Sequence, residues 1–254
     1  MGKNVDRGEV TSPLSCFKGM NLEIFDLGLI DYEAAWRLQD QYAAEIAAGI
    51  RPPTLLLLEH PHVYTFGRKG NADNLLWDET QLKEKGISTY WVDRGGDVTY
   101  HGPGQLVGYP LIPLGKLNQE NRLPDVDYVS YVRKLEDMLI RVLMGYGIGA
   151  GQIPGKTGVW IQADAYSRCS RCKPEDQQKP AKIAAIGVKV DASGITRHGF
   201  ALNVNPDMSY WDGIIPCGLT EPVVSLADLI DPVPSMEEVK AKVGEVFRQI
   251  FETR

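Results

Sequence analysis

Cys217 is the side chain in this sequence that is best suited to covalent chemistry. It stands in the stretch Ile-Pro-Cys-Gly-Leu, residues 215–219. A thiol attacks a carbonyl carbon as its thiolate, and an unperturbed thiol has a pKa of about 8.5, so a nucleophilic cysteine needs a nearby cation. A cysteine in apolar company is otherwise more often an inert core residue. A nucleophilic role for Cys217 therefore depends on a cation beside it.

Lys182 is a candidate for that cation. It begins the apolar stretch Lys-Ile-Ala-Ala-Ile-Gly-Val, residues 182–188. Its ammonium would favour the thiolate form of a neighbouring cysteine, and its neutral amine could later take a proton from an attacking amine. The commoner explanation of a lysine at the start of an apolar strand is that its ammonium stays in solvent.

A glycine-rich stretch could hold a substrate. Residues 94–105 read Arg-Gly-Gly-Asp-Val-Thr-Tyr-His-Gly-Pro-Gly-Gln. Paired glycines let a backbone approach a ligand closely, and Arg94 and His101 supply hydrogen-bond donors. The same composition also suits a tight turn between two strands.

Together, these stretches resemble the signature sequences of the lipoyl(octanoyl) transferase family. The resemblance is carried by R-G-G-D-V-T-Y-H-G-P-G-Q-L-V-G-Y-P (94–110), P-G-K-T-G-V-W (154–160), K-I-A-A-I-G-V (182–188), H-G-F-A-L-N-V (198–204) and I-P-C-G-L (215–219). It extends from about residue 21 to about residue 230. It implies the fold of the biotin and lipoate protein ligase catalytic domains.

The resemblance also implies a reaction and its partners. The donor would be octanoyl-acyl-carrier-protein, and the acceptors would be lysines of the lipoyl domains of 2-oxoacid dehydrogenase complexes and of the glycine cleavage H protein. Cys217 would be the nucleophile and Lys182 the acid/base residue, with no cofactor, metal or ATP. The residues expected to contact the acyl group are Arg94, Gly95, Gly96, Asp97, Val98, Thr99, Tyr100, His101, Ala185, Ile186, Gly187, Gly199, Phe200 and Ala201.

Three alternatives stay open at this point. An ATP-dependent lipoate ligase of the same fold would need no cysteine, so the placement of Cys217 counts against it. An amidotransferase that takes its acyl group from another lipoyl domain would share the thioester chemistry. A non-catalytic module that holds acylated carrier domains would have no use for an intact Cys217 and Lys182.

Two segments depart from the family pattern. Residues 163–180 form an insertion that contains Cys169 and Cys172. Two cysteines at this spacing supply half of a tetrahedral zinc site, so we expect a surface loop rather than a metal site. Residues 1–20 are expected to be a flexible extension without an assigned function. Residues 21–254 are then expected to form one catalytic domain.

Hydrophobic periodicity and turn residues predict the elements that must position these side chains. Helices are predicted at 31–50, 78–85 and 124–146, and another begins at a capping box at Ser235. Strands are predicted at 54–59, 87–92, 105–112, 158–162, 182–190 and 195–204, the last three antiparallel. Pro110 and Pro113 predict that strand 105–112 either lies at a sheet edge or ends at these residues. The expected class is α+β, with a mixed or antiparallel sheet packed against helices.

Composition excludes several classes of protein. Lys+Arg 27 against Asp+Glu 33 gives a net charge of -6, so the chain has no overall basic field with which to bind nucleic acid. Uncharged apolar runs such as residues 54–58 are far shorter than the roughly 20 residues that span a bilayer. Four cysteines are too few for a disulfide framework in a chain of this length, which favours a reducing, cytoplasmic location.

Overall fold

The computed structural model describes residues 21–115, 127–163, 174–216 and 221–252. Ten strands lie in these ranges: β1 (Glu23–Leu29), β2 (Thr54–Glu59), β3 (Val63–Phe66), β4 (Ser88–Trp91), β5 (Val98–His101), β6 (Gln105–Leu111), β7 (Ala150–Ile153), β8 (Lys156–Ile161), β9 (Ala181–Val190) and β10 (Thr196–Asn203). The helices are α1 (Tyr32–Ala47), α2 (Glu79–Glu84), α3 (Tyr128–Met144), α4 (Leu226–Leu229) and α5 (Met236–Phe251). Strands and helices are mixed as the sequence predicts, which confirms the α+β class.

Seven strands form the main sheet, in the order β1-β2-β6-β10-β9-β8-β7. β1 pairs with β2 in parallel, and the other neighbours are antiparallel. One face of the sheet packs against α3 and α5, through buried residues such as Leu135, Leu139, Val243 and Phe247. The opposite face packs against α1 through a second apolar cluster that includes Ala35. Helices therefore pack on both faces of the main sheet.

Three short strands form a second sheet in the order β4-β3-β5. β5 belongs to the glycine-rich stretch, and all four of its residues are buried. The connection between β4 and β5, residues 92–97, lies next to the main sheet, because Gly95 N donates to Val188 O of β9 at 3.1 Å. The small sheet thereby holds the glycine-rich loop against the large one.

Of the two alternatives predicted from Pro110 and Pro113, the sheet edge is wrong, whereas the strand does end at Leu111, between the two prolines. β6 is an internal strand, paired with β2 on one side and β10 on the other. On the β10 side the pairing ends at Gly108, and the Pro110 ring packs against Gly199, the neighbour of His198, whose backbone is left-handed with φ of 55°. An interior strand accepts proline at such an irregularity, because no ladder hydrogen bond is lost there.

Most predicted helices and strands lie where their patterns indicate, within a few residues. Ser235 forms the expected capping box with Glu238 at the start of α5. Asp31 precedes α1, but its side chain makes no capping hydrogen bond. Val129, in the first turn of α3, is 69% exposed. Among the described residues, no helix combines the length and apolar character needed to span a bilayer.

Candidate active site

A cleft lies between the main sheet and the loop that joins β4 to β5. Its empty space, including the part open to solvent, is about 480 Å³. The lining residues come from α1, the β4–β5 loop, β5, β6, β9 and β10: Tyr32, Arg94, Gly95, Gly96, Thr99, His101, Val107, Tyr109, Ala185, Ile186, Gly187, His198, Gly199, Phe200 and Ala201.

Small residues make room on the floor of the cleft. In the β9–β10 ladder Ala185 is paired with Ala201, and Gly187 with Gly199. A β-carbon at Gly187 would lie 3.0 Å from Cδ of Arg94 and 3.1 Å from the carbonyl oxygen of Gly95. A glycine at this position therefore lets the loop lie directly on the sheet, and the cleft is closed there.

Arg94 fixes the loop that forms the roof. Its side chain is buried, with 6% of the residue exposed. Nη2 donates to the carbonyl oxygen of Thr65 at 2.6 Å and to Oγ1 of Thr65 at 2.9 Å, while Nη1 donates to the carbonyl oxygen of Gly95 at 2.9 Å. The rigid fork of a guanidinium suits this arrangement of acceptors. The roof is thus held by a buried cation rather than by apolar packing.

His101 is neutral at the cleft wall, and its tautomer follows from its neighbours. The amide nitrogen of Gln105 donates to Tyr100 O and Asn203 Oδ1, so its Oε1 accepts from His101 Nδ1 at 2.7 Å. The proton is therefore on Nδ1. Burial lowers the pKa of His101 to about 3, so the ring carries no charge at neutral pH.

His198 is held by two partners, the buried Gln39 and the partly exposed Asp93. Nε2 donates to Oδ1 of Asp93 at 2.8 Å, and the backbone N–H donates to the buried Gln39 at 2.7 Å. Burial lowers the pKa of His198, and the hydrogen bond from His198 holds the pKa of Asp93 well below its ordinary value. A neutral imidazole that donates to an ionised carboxylate is consistent with the lowered pKa of His198 and with the lowered pKa of Asp93. His198 thus ties β10 to the residue that precedes Arg94.

Lys182 lies near the start of β9, outside the cleft lining. Its backbone N–H donates to Pro222 O at 2.8 Å, and its carbonyl oxygen accepts from Val224 N at 3.0 Å. Its ammonium lies 4.7 Å from the ring centre of Trp160, its β8 partner. Cys217 is outside the described residues, as are Cys169 and Cys172. The chain that resumes at residue 221, shortly after Cys217, is therefore hydrogen-bonded to the strand segment that carries Lys182.

Comparison with known proteins identifies the family. Residues 31–248 match the family model of the lipoyl protein ligase A/B catalytic domain. An octanoyltransferase of Chloroflexus aurantiacus is 46% identical over 231 residues, covering 89% of this chain and 94% of that protein. An octanoyltransferase of Solibacter usitatus is 45% identical over 226 residues, covering 89% of this chain and 91% of that protein. The chain belongs to the octanoyltransferases of this family.

Solved structures of lipoate ligases share the octanoyltransferase fold. A bipartite lipoate protein ligase from Thermoplasma acidophilum superposes with a TM-score of 0.64 and 19% identity, covering 91% of this chain and 83% of that chain. A lipoate-protein ligase A structure bound with ATP gives a TM-score of 0.61 and 16% identity, covering 92% of this chain and 87% of that chain. The fold implied by the sequence resemblance is confirmed for the lipoate ligases.

The structure brings together most of the acyl-contact residues expected for an octanoyltransferase. Eleven line the cleft: Arg94, Gly95, Gly96, Thr99, His101, Ala185, Ile186, Gly187, Gly199, Phe200 and Ala201. The other three expected residues, Asp97, Val98 and Tyr100, do not line the cleft. Asp97 accepts from the backbone N–H groups of Asn71 and Val98, whereas Val98 and Tyr100 pack in the core of the small sheet. These three support the loop from behind.

Four lining residues were not among the expected contacts: Tyr32, Val107, Tyr109 and His198. Val107 and Tyr109 alternate along β6 within the signature stretch, and His198 begins the H-G-F-A-L-N-V motif. Strand periodicity was therefore a signal for the first two. Tyr32 comes from the first turn of α1, and its sequence context gives no indication of the cleft.

Proposed function

We propose that this protein transfers an octanoyl group from octanoyl-acyl-carrier-protein to a lysine of a lipoyl domain, through a thioester on Cys217. The observation that carries the proposal is the 46% identity to an octanoyltransferase along almost its whole length. The cleft supports it, because its floor is made of alanine and glycine residues and can accept an unbranched apolar chain.

In the first half-reaction the Cys217 thiolate attacks the carbonyl carbon of the donor thioester. The bond between that carbon and the carrier sulfur breaks, and the carrier thiolate takes a proton from the Lys182 ammonium. One thioester replaces another, so little free energy is needed. The products are the free carrier thiol, the octanoyl thioester of Cys217 and a neutral Lys182.

In the second half-reaction the neutral amine of the acceptor lysine attacks the Cys217 thioester. Lys182 takes a proton from the attacking nitrogen, the carbon–sulfur bond breaks, and an amide forms. The Cys217 thiolate and the Lys182 ammonium are regenerated together. A thioester is more reactive than an amide, so this step is downhill and needs no ATP.

The proposed partners follow from this reaction. The donor is octanoyl-acyl-carrier-protein, and the acceptors are lipoyl domains of the 2-oxoacid dehydrogenase complexes and of the glycine cleavage H protein. We place the reaction in the cytoplasm, because a nucleophilic cysteine must stay reduced. No cofactor enters the proposed steps.

Intact-mass spectrometry tests the covalent step. After mixing with octanoyl-acyl-carrier-protein, and before any lipoyl domain is added, we expect the protein to gain the mass of one octanoyl group. The increment should disappear on addition of a lipoyl domain, which should gain it. A ligase would show no increment and would require ATP and free acid. A binding module would show no increment at all.

Cysteine variants test which residue carries the octanoyl group. Cys217→Ala should abolish it, whereas Cys169→Ser combined with Cys172→Ser should form it at nearly the normal rate. Transfer by Cys217→Ala at a rate near that of the unmodified protein would contradict the proposal. Bound zinc, or a large loss of activity in the double variant, would overturn the loop assignment of residues 163–180.

A further inference from the structure

A second lysine lies beside Lys182. The ammonium of Lys156, on β8, is 5.7 Å from the ring centre of Trp160, and the ammonium of Lys182 is 4.7 Å from the same centre. Trp160 itself is fully buried. Two cations near one indole ring repel each other, and an anion close to both offsets that repulsion.

Glu221 supplies that anion. It forms an ion pair with Lys156 through Oε1. Its Oε2 is buried and has no hydrogen-bond partner among the residues that the structure describes. The hydrogen bond from Lys156 lowers the pKa of Glu221 below its ordinary value, and the charges of Lys156 and Lys182 act in the same direction. The carboxylate therefore senses both ammonium groups.

Backbone contacts hold this cluster together. Lys182 is paired with Trp160 in the β8–β9 ladder and is bonded to Pro222, the residue after Glu221. Gly158 has φ of +119°, and a β-carbon there would lie 3.4 Å from Cε of Lys182. The glycine thus leaves the space through which the lysine side chain passes.

The neighbouring charges of the described segments are paired among themselves. Glu136 of α3 accepts from Gly158 N at 3.0 Å and pairs with Arg133 at 2.6 Å. Lys179, in the segment before β9, pairs with Asp176 at 2.9 Å. Each of these charges has an opposite charge in contact, which weakens its field at Lys182. Among the charges of the described segments, Lys156 shares the Trp160 ring with Lys182, and Glu221 interacts electrostatically with both lysines and with Lys179.

We propose that Lys156 and Glu221 are positioning residues that set the proton affinity of Lys182, the first disfavouring its ammonium and the second favouring it. This inference rests on the acid/base role of Lys182 proposed above. In that role Lys182 must give up a proton in one half-reaction and regain it in the next. A cation and an anion of opposite effect keep both forms accessible, as a neighbouring cation does for other catalytic lysines.

Competitive labelling with trace acetic anhydride across pH measures the pKa of Lys182 in the full chain. We expect Lys156→Met to raise this pKa by about one unit, because it removes a repulsion and frees Glu221. Glu221→Gln should lower it by about one unit. The double variant should return close to the original value, since both effects are removed. A purely structural role of either residue would not produce shifts of opposite sign that cancel.

Two further variants serve as controls. Lys156→Arg keeps the charge and should leave the pKa of Lys182 in place. Lys242→Met removes an exposed lysine of α5 that pairs with Glu245, and it should have no effect. Circular dichroism establishes that each variant is folded. If neither Lys156→Met nor Glu221→Gln moves the pKa of Lys182, the inference is wrong.

The pH profile of single-turnover deacylation by a lipoyl domain gives the functional readout. Its inflection should move in the same direction as the pKa of Lys182, so Lys156→Met slows the reaction about tenfold at pH values below both pKa values. Shifts in labelling without any acyl-enzyme would refute the proposed function and support this electrostatic assignment. Normal transfer without shifts in labelling would support the proposed function and refute this electrostatic assignment.

Discussion

Arg94 shows how one residue type is required by geometry rather than by charge alone. Its guanidinium contacts a backbone carbonyl and a hydroxyl of Thr65 together with the carbonyl of Gly95. An ammonium is a point charge on a flexible stem and cannot reach three acceptors in one plane. The sequence identified Arg94 as a ligand contact. In the structure, the guanidinium of Arg94 donates to Thr65 and Gly95, and these hydrogen bonds hold the roof of the cleft.

We therefore expect Arg94→Lys to loosen the roof although it conserves the charge. Loss of hydrogen bonds from a buried charged group costs about 1.5–3 kcal/mol each, so the free energy of unfolding should fall by about 2 kcal/mol or more. The KM for the octanoyl donor should rise as well. Urea unfolding and steady-state transfer kinetics measure the two effects.

Arg68→Lys is the matched control for this substitution. Arg68 is an exposed neighbour whose backbone N–H donates to the carbonyl of Arg94 at 2.9 Å. An exposed substitution of this kind changes stability by about 0.5 kcal/mol or less. Equal effects of the two substitutions would show that the buried fork does not hold the roof.

At the scale of helices and strands, the sequence predicted what depends on local pattern. Apolar runs and capping signals located β2 and α5 closely. β1 was missed because it is partly exposed and pairs in parallel with a strand far along the chain. β5 was taken for part of a ligand loop, since glycines surround it in sequence. Its burial comes from the small sheet.

The cleft itself depends on contacts between distant segments. Ala185 faces Ala201 because of the β9–β10 register, and the loop reaches the sheet through the bond from Gly95 to Val188. Neither contact can be derived from spacing, because a shift of one residue would turn every side chain to the other face. The motif resemblance named segments that line the cleft. The register determines which of their residues meet.

The length of the cleft predicts which length of acyl chain it accepts. From Ala185 to Val188, where the Gly95 bond closes the cleft, three residues of strand span about 10 Å. An extended octanoyl chain is about 9 Å from its carbonyl carbon to its last carbon, by standard bond lengths and angles. With the carbonyl carbon level with Ala185 and toward Lys182, the last carbon would lie between Gly187 and Val188.

Gly187→Ala should therefore discriminate by chain length. The new methyl would stand 3.0 Å from Cδ of Arg94 and 3.1 Å from the carbonyl oxygen of Gly95, so the loop must shift by a few tenths of an ångström to accommodate it; circular dichroism checks that the fold is retained. The methyl would fill space at the end of the cleft, where one carbon is worth about tenfold or more in specificity. We expect kcat/KM for the octanoyl donor to fall about tenfold and that for a hexanoyl donor to change less.

Gly149→Ala provides the control, because a β-carbon at this glycine meets no atom within 4 Å. It should leave both donors unaffected. An equal loss for hexanoyl and octanoyl donors in Gly187→Ala would place the end of the acyl chain elsewhere.

Across the whole molecule, the histidines share one property. The chain has four, and burial is the first cause that lowers the pKa of each. His60 donates from Nδ1 to the carbonyl of Ile30 and accepts at Nε2 from the hydroxyl of Tyr109, a cleft residue. The folded state therefore keeps neutral imidazoles around the cleft, where the buried Arg94 already provides positive charge.

This arrangement couples stability to pH in a definite direction. The pKa is about 4 for His60 and about 3 for His101 in the folded state, and about 6.5 for histidine in an unfolded chain. Between these values the unfolded state binds more protons, so stability falls as pH falls. The contribution is complete above about pH 6.5 and is lost toward the folded pKa values. Asp93 titrates below this window, because its pKa is lowered as well.

We expect the free energy of unfolding to fall by about 2 kcal/mol for each of His60 and His101 between pH 7 and pH 5. Urea titrations followed by circular dichroism at both pH values measure the difference. His101→Gln removes one titrating ring and should reduce the loss by about 2 kcal/mol, the share of that ring, although it lowers stability at pH 7. His62→Gln should change the loss less, because His62 is only half-buried. A free energy of unfolding that is constant from pH 7 to pH 5, or that rises toward pH 5, would mean that these rings take up protons as readily in the fold as in the unfolded chain.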